Sequence, residues 1–544
     1  MCNIRSSDIS AGHYLLIDYK IRSVEYGRFC SRNVWKYALC LERSFIMHSF
    51  ASLIYSLYEL LWGPPMLILL IGTGIFMTIR TRGFQFRKFG LAMKNTVGKL
   101  FDKTDVKEGS LSPVQAMTTA LAGTVGTGNI AGVTGAIALG GPGAVFWMWV
   151  SAMFGMVTKF SEVTLSVRYR EKNELGDWVG GPMYYIKNGL GKNWKWLGVL
   201  FSLFAAIAAM GIGNMTQINT IVTSVGSIFT QFNPATTTAQ LKTIYLVVGI
   251  IVAILTTLVL FGGLNRIGAV TEKLVPGMAM LYVLSALVVV VFNYKNIGPV
   301  FASIFKYAFN PQAVGGGLAG TGIKITMQMG IGRGIFSNEA GLGSAPIAHA
   351  AADTDHPVRQ GMFGIFEVFA ASMVICTFTA LAVLTSGVAG KFYGKSAGTN
   401  MAISAFSTTF GGKLAAIIIA LCITMFALST ILSWSLYGTR CAEFLFGTKI
   451  IKPYQIVFVA FVVIGAVTKM DLVWTIADDL NAMMAIPNLI AVIALSPEII
   501  RLIKDFLSDE PQYTCERLEA EAEKRRLAEY HVEKKEAAKK TGTR

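Results

Sequence analysis

The chain has 544 residues, of which 53% are hydrophobic and only 15% are charged, and its formal net charge is +16. An average soluble domain carries about 25% charged residues, so this composition excludes an ordinary soluble enzyme and is too apolar for a disordered chain. The apolar residues come in blocks of about 20, the length that crosses the ~30 Å hydrocarbon core of a bilayer. The sequence therefore predicts an all-α polytopic membrane protein.

Eleven apolar segments predict eleven transmembrane helices. They cover residues 55–79, 113–138, 142–167, 197–230, 243–262, 274–292, 317–350, 360–386, 412–437, 455–468 and 472–496. The segment after the first span, RTRGFQFRKFGLAMKNTVGKLFDK, is basic and amphipathic, which suits the membrane surface. Short external helices are expected at 299–311 and 394–410.

The span pattern divides the chain into six parts. Residues 1–46 carry seven Lys and Arg and no apolar core, and Met47 resembles a natural start. We interpret 1–46 as an extension that is untranslated or disordered, with a genuine soluble extension as the alternative. The other parts are the extra span with its basic segment (47–112), two five-span sets (113–292 and 317–496), the external loop between them (293–316) and a charged cytoplasmic tail (497–544).

The distribution of charge predicts the orientation. Loops on one side carry 20 Lys and Arg and those on the other side carry 7. The positive-inside rule then puts the N-terminus outside and the C-terminus in the cytoplasm. The net charge of +16 is therefore a topology signal and does not indicate a nucleic-acid partner. The seven cysteines show neither a paired nor a metal-binding spacing.

Two spans contain clusters of glycine that predict interrupted helices. Residues 122–132 read AGTVGTGNIAG, and residues 330–346 read GIGRGIFSNEAGLGSAP. Each Gly inside a helix costs about 1 kcal/mol relative to Ala. Unwound backbone persists in a membrane only where it lines a cavity or meets a ligand, and two such segments in matching halves point to a transporter site. Close packing of small residues between helices is the alternative.

Each interrupted span opens a set of five. Because five is odd, the two sets must have opposite topology, which predicts an inverted repeat with one extra span in front.

Four motifs resemble those of the alanine or glycine:cation symporter family. They are GTVGTGN, GGPGAVFWMW at 140–149, GGPMYYI at 180–186 and GIFSNEAGLGSAPIAHAAA at 334–352, and the resemblance covers about residues 50–500. It implies the leucine-transporter-like fold of five plus five inverted spans. It also implies inward movement of alanine or glycine with sodium, occasionally with protons.

The resemblance implies a substrate site at both breaks. Backbone amides of Thr127 and Gly128 would meet the substrate carboxylate, which agrees with the close backbone approach that Gly allows. The other implied substrate-binding residues are Gln217, Phe336, Ser337, Asn338 and Trp434. Gln217 could instead form a hydrogen bond between helices, and Trp434 could simply be a buried aromatic residue.

The candidate cation ligands are oxygens, as a hard cation requires. They are the carbonyls of Thr124 and Val125, the side chains of Asn129 and Glu339, and the paired hydroxyls that the resemblance implies, Ser429 and Thr430. An intramembrane carboxylate is functional by default, but Glu339 could instead form a structural pair with Arg333. Ser and Thr hydroxyls could instead bond the carbonyl four residues earlier.

Other buried polar residues carry weaker signals. Lys159 and Glu162 stand three apart on one helical face, so they can pair locally, and we interpret them as structural or gate-lining, with Glu367 similar. His349 is interpreted as a satisfied polar residue. Asp478 and Asp479 are assigned no role.

The functional hypothesis is a secondary carrier for small neutral amino acids with sodium as coupling ion and no cofactor. No nucleotide-binding loop appears, so an ion gradient must drive transport. Proton coupling and an ion channel are the alternatives. An intramembrane enzyme is disfavoured because no nucleophile–base pair is evident. The predicted location is the plasma membrane, as in a bacterial inner membrane, and the sequence does not indicate an oligomeric state.

Overall fold

The computed structural model describes residues 52–99, 107, 109–310, 322–395, 397–468, 471–518, 520–521 and 523–524. Contacts divide the chain into two compact units, residues 1–55 and 56–544. Only 52–55 of the first unit are described, and they are helical. The predicted extension 1–46 and residues 525–544 of the predicted tail lie outside the described residues.

The predicted membrane spans are present. Within the described residues, nine helices are long and apolar enough to cross a membrane. They cover Ser52–Arg80, Gly143–Arg168, Lys192–Phe232, Thr238–Leu260, Gly263–Phe292, Pro357–Thr385, Gly412–Phe446, Thr448–Val467 and Val473–Ala494. The two remaining predicted spans are the interrupted ones, and each is split into pieces too short to cross alone. The predicted all-α multi-pass fold is thus confirmed, and nine of the eleven predicted spans are unbroken helices of membrane-crossing length in the described residues.

Three helices precede the first half of the chain. Ahead of that half lie α1 (Pro64–Arg80), α2 (Phe84–Arg87) and α3 (Phe89–Thr96). The half itself contains α4 (Pro113–Thr124), α5 (Ala131–Gly140), α6 (Gly143–Arg168), α7 (Pro182–Tyr185), α8 (Lys195–Met210), α9 (Thr216–Phe232), α10 (Thr238–Leu260) and α11 (Gly263–Phe292). The loop after α6 carries a small antiparallel hairpin of β1 (Glu171–Lys172) and β2 (Trp178–Val179).

The second half repeats the pattern. After the loop helix α12 (Ile297–Phe309) it contains α13 (Ile323–Asn338), α14 (Ala345–His349), α15 (Pro357–Val368), α16 (Cys376–Thr385), α17 (Gly398–Phe410), α18 (Gly412–Phe446), α19 (Ile451–Val467) and α20 (Asp471–Ala494), and α21 (Ser496–Phe506) follows. Helices α12 and α17 fall where the two short external helices were predicted.

A capping motif explains where helix α4 starts, and π-helical segments continue two of the long spans. Helix α4 begins at a capping box, in which Ser112 and Gln115 bond each other's backbone N–H groups, with Pro113 at the first position. The π-helical segments Gly211–Met215 and Phe369–Ile375 join α8 to α9 and α15 to α16. Such π segments are frequent at functional sites.

The two halves pack so that their broken helices meet. Helix α6 lies against both α13 and α15, and α18 lies against α4 and α9. The two breaks, between α4 and α5 and between α13 and α14, are therefore surrounded by continuous helices. The predicted boundaries of the six parts stay predictions.

Candidate functional site

The first break is held by Asn129. Helix α4 ends at Thr124, the backbone is extended at Gly126, and one 3₁₀ turn precedes α5. The Asn129 Oδ1 atom accepts from the Gly126 N–H (3.1 Å), and Nδ2 donates to Ser337 Oγ (2.8 Å) and the Ala371 carbonyl (3.2 Å). One buried amide thus satisfies the unwound backbone and ties it to α13 and to the π segment after α15.

The second break is held by Glu339. Helix α13 ends at Asn338, and Glu339 follows in the left-handed conformation at φ 54°. Its Oε1 accepts from Trp434 Nε1 (2.8 Å) and its Oε2 from Ser344 Oγ (2.7 Å), while the residue is only 3% exposed. The carboxylate therefore connects both sides of the break to α18.

The alternative pairing of Glu339 with Arg333 is not formed. The Arg333 guanidinium lies over the Phe336 ring, 5.7 Å from its centroid. The helix ends at Asn338 and the backbone turns at Glu339, so the two side chains do not share one helical face.

A cavity of about 300 Å³ lies between the two breaks. The lining residues come from both breaks, from the π segment between α8 and α9, and from α9, α18 and α20. They are Gly123, Thr124, Gly126, Gly128, Ile212, Gln217, Phe336, Glu339, Leu342, Thr430, Trp434 and Asn481.

Two glycines let the first break approach the cavity walls. A Cβ atom on Gly128 would lie 2.6 Å from Cδ1 of Phe336, and one on Gly126 would lie 2.6 Å from Oγ1 of Thr430. Any larger residue would require these walls to move. The cavity's shape therefore depends on the glycines of the motif.

Beside the cavity, four oxygens converge at the end of α4. The Ser429 hydroxyl lies 2.8 Å from the Phe426 carbonyl and 3.3 Å from the Ala122 carbonyl, and the Thr430 hydroxyl lies 2.9 and 3.0 Å from the same two atoms. Both hydroxyls thus bond a carbonyl of their own helix, the alternative considered from the sequence. Both also bond the Ala122 carbonyl of α4. A hydroxyl has two acceptor lone pairs besides its proton, so this oxygen cluster has the donor set of a hard-cation site.

Comparison with known proteins identifies the family. Its sequence model, described as the sodium:alanine symporter family, matches residues 47–519. The chain belongs to the sodium:alanine symporter family. The resemblance read from the four motifs is thereby confirmed.

Individual relatives align over nearly their whole length. The sodium/alanine symporter AgcS of Methanococcus maripaludis is 44% identical over 84% of this chain and 97% of its own. The transporter YflA of Bacillus subtilis is 43% identical over 83% and 93%, and the probable sodium/glutamine symporter GlnT of the same species is 36% identical over 82% and 89%. Among solved structures, MhsT in complex with L-phenylalanine aligns over 73% of this chain and 99% of its own at 13% identity and a TM-score of 0.49. Family membership makes the chain a multi-pass, sodium-coupled amino-acid transporter.

In this member of the sodium:alanine symporter family, the predicted site residues divide into two groups. Those that line the cavity are Thr124, Gly128, Gln217, Phe336, Glu339, Thr430 and Trp434. The others, Val125, Thr127, Asn129, Ser337, Asn338 and Ser429, lie beside it and support its walls.

The supporting side chains are engaged with neighbouring helices. Thr127 Oγ1 donates to Gln217 Oε1 (3.1 Å), and Asn338 Nδ2 donates to Ser372 Oγ (3.1 Å). The Val125 side chain packs in the apolar core. Thr127, Val125 and Asn338 can therefore offer a bound ligand mainly their backbone groups.

Sequence reasoning missed the role of Lys159. Its Nζ atom lies 2.8 Å from the Asn338 carbonyl, 3.0 Å from Thr124 Oγ1 and 3.3 Å from Glu367 Oε2. The local pair with Glu162 that the spacing allows is not formed, and Glu162 instead accepts from the Asn488 amide. The Lys159 partners Thr124 and Asn338 are 35 and 179 residues away and Glu367 lies still further along the chain, so none of them gives a local sequence signal.

The Glu367 carboxylate continues this network. His349 Nε2 lies 2.5 Å from Glu367 Oε1, and Gln360 Nε2 lies 2.9 Å from His349 Nδ1. Because an amide nitrogen only donates, His349 Nδ1 accepts and its Nε2–H faces the carboxylate. His349 is thus a satisfied polar residue, as interpreted from the sequence.

A second cavity, of about 330 Å³, adjoins the first. Its lining includes Trp62, Arg333, Phe336 and Asp478. Phe336 lines both cavities, so its ring stands between them.

Proposed function

We propose that this chain carries small neutral amino acids, alanine and glycine in particular, into the cell together with sodium. The observation that carries the proposal is the adjacency of a small cavity and an oxygen cluster on one unwound stretch of backbone. Carrier sites built from broken helices use half-helix ends in this way, with amides toward an anion and carbonyls toward a cation. Alternating access around this cavity then couples the two ligands.

The substrate is proposed to span the two breaks. Its carboxylate meets the amides of Thr127 and Gly128, beside Gln217. Its amino group meets carbonyls at Ser337 and Asn338. Phe336 and Trp434 bound the side-chain end of the cavity and exclude larger amino acids. One methylene changes binding by only ~1–3 kcal/mol, so alanine and glycine should both be accepted.

The sodium ion is proposed to occupy the oxygen cluster. Ser429 and Thr430 supply hydroxyls, and the backbone at the end of α4, including Thr124 and Val125, supplies carbonyls. Asn129 keeps the break open, and Glu339 contributes negative charge nearby. The carbonyls of Ala122 and Phe426, which had no signal in the sequence, complete the set.

The proposed setting is the plasma membrane, such as a bacterial inner membrane. The N-terminus is outside and the C-terminus cytoplasmic, as the loop charges favour.

Counterflow in proteoliposomes tests the carrier against the channel and enzyme alternatives. We expect unlabelled alanine inside the vesicles to accelerate entry of labelled alanine when sodium is present on both sides. Internal leucine is the matched control and should not accelerate entry, because Phe336 and Trp434 are proposed to exclude side chains larger than that of alanine. Ohmic ion current without solute exchange would contradict the proposal.

A further inference from the structure

Lys159 has a fully coordinated ammonium group in the centre of the protein. Both Lys159 and its partner Glu367 have side chains that are 0% exposed. An ammonium has three N–H donors, and three oxygens surround it: the Asn338 carbonyl, the Thr124 hydroxyl and a Glu367 carboxylate oxygen. Neither the substrate cavity nor the proposed sodium position includes this group.

The oxygens around Lys159 mark the ends of both half-helices. Thr124 is the last residue of α4, and Asn338 is the last residue of α13. The C-terminal end of a helix carries a partial negative charge and unpaired carbonyls, which attract cations. The ammonium therefore stands where the ends of two half-helices would otherwise bind a free cation.

A glycine permits this arrangement. A Cβ atom on Gly364 would lie 3.1 Å from the Lys159 carbonyl, so the absence of a side chain here allows α15 to approach α6 closely. Glu367, three residues later, is thereby brought to the ammonium.

We propose that Lys159 is a built-in cation that permanently fills one of two cation positions flanking the end of α4. The other position, at Ser429 and Thr430, is the only one that exchanges its ion. This inference rests on the proposed function only in naming that exchanging ion as sodium. It implies one sodium per amino acid transported.

A simpler role for Lys159 would be to neutralise Glu367. The double variant Lys159→Met with Glu367→Gln separates the two roles, because it removes both charges and keeps similar volumes. If the ammonium acts on the helix ends, alanine uptake by the double variant should fall by roughly ten- to a hundredfold, the size expected when hydrogen bonds from a charged group to the Asn338 carbonyl and the Thr124 hydroxyl are lost. Uptake equal to that of the wild type would overturn the proposal.

Chemical rescue gives a readout that does not depend on transport. Lys159→Ala removes the atoms of one propylammonium ion, so the thermal midpoint of the purified variant should rise in propylammonium chloride relative to choline chloride. Lys159→Met, which fills the space without charge, is the matched control and should show no such rise, nor should the wild type. Equal responses of all three proteins would overturn the proposal.

The wild-type protein alone provides the third test. If one position exchanges sodium, uptake against sodium concentration should follow a one-site curve with a Hill coefficient of about 1. A coefficient near 2, which requires a second exchanging site, would overturn the proposal. Absence of any sodium-dependent uptake would refute the proposed function instead, and the rescue experiment would still decide the role of Lys159.

Discussion

Asn129→Ala is expected to abolish alanine uptake and to lower the free energy of unfolding by about 2–4 kcal/mol. The change removes the bonds that Asn129 makes to the Gly126 N–H, the Ser337 hydroxyl and the Ala371 carbonyl. Each of these three groups keeps one other hydrogen-bond partner, so each lost bond costs about 0.5–1.5 kcal/mol. Uptake should fail because the first break loses the bond that fixes its backbone beside the cavity.

Thermal unfolding of the purified protein and uptake in proteoliposomes measure both effects. Asn219→Ala is the matched control, because this half-buried amide on α9 bonds the Gly465 and Thr468 carbonyls outside the site. We expect that variant to keep its uptake. A thermal midpoint and uptake for Asn129→Ala like those of the control would show that the amide does not hold the break.

Glu339→Gln is expected to raise the sodium concentration needed for half-maximal uptake by roughly tenfold or more. A carboxylate near a monovalent cation contributes on the order of 1–4 kcal/mol at an effective dielectric of about 20. Glutamine keeps an acceptor for Trp434 Nε1, and the Ser344 hydroxyl can turn to accept from the new amide, so the fold should persist. Sodium titration of alanine uptake measures the shift.

Trp434→Phe is the control for the hydrogen bond. It removes the indole N–H that Glu339 accepts but leaves the carboxylate in place. We expect a smaller shift in the sodium requirement than for Glu339→Gln. An unchanged sodium requirement in Glu339→Gln would mean that this carboxylate stabilises the second break and does not contribute to sodium binding.

The fold was largely predictable because membrane burial leaves a strong record in the sequence. Every span has to be apolar over about 20 residues. The two spans that are not continuous helices were marked by Gly clusters, which weaken a helix. The glycines also indicated close approach, as Gly128 against Phe336 illustrates. The ends and π segments of the helices had no such record, because they depend on packing between spans.

The site was predictable mainly where the family resemblance implied a residue. Phe336, Trp434 and Thr430 were implied in this way, and they line the cavity. Backbone ligands such as the Ala122 carbonyl have no residue preference and so leave no signal.

Two ion pairs considered from the sequence are not formed, for a related reason. Helical spacing favoured Lys159 with Glu162, but packing of α6 against α15 gave Lys159 the partner Glu367. Arg333 failed to reach Glu339 because the helix ends at Asn338 and the backbone turns at Glu339. Sequence spacing predicts contacts within one helix. The partners of Lys159 and Glu339 depend instead on how helices pack together and on where a helix ends.

The central claim is that sodium, bound at the oxygen cluster, drives amino-acid uptake through the cavity between the two breaks. The most direct measurement is alanine uptake into proteoliposomes at fixed pH as choline replaces sodium, for the wild type and for Ser429→Ala with Thr430→Ala. Ser435→Ala is the matched control, since its buried hydroxyl bonds the Leu432 carbonyl within α18. We predict that wild-type and control uptake vanish in choline and that the double variant requires more sodium. Uptake that persists in choline and follows the proton gradient, or a double variant with an unchanged sodium requirement, would contradict the claim.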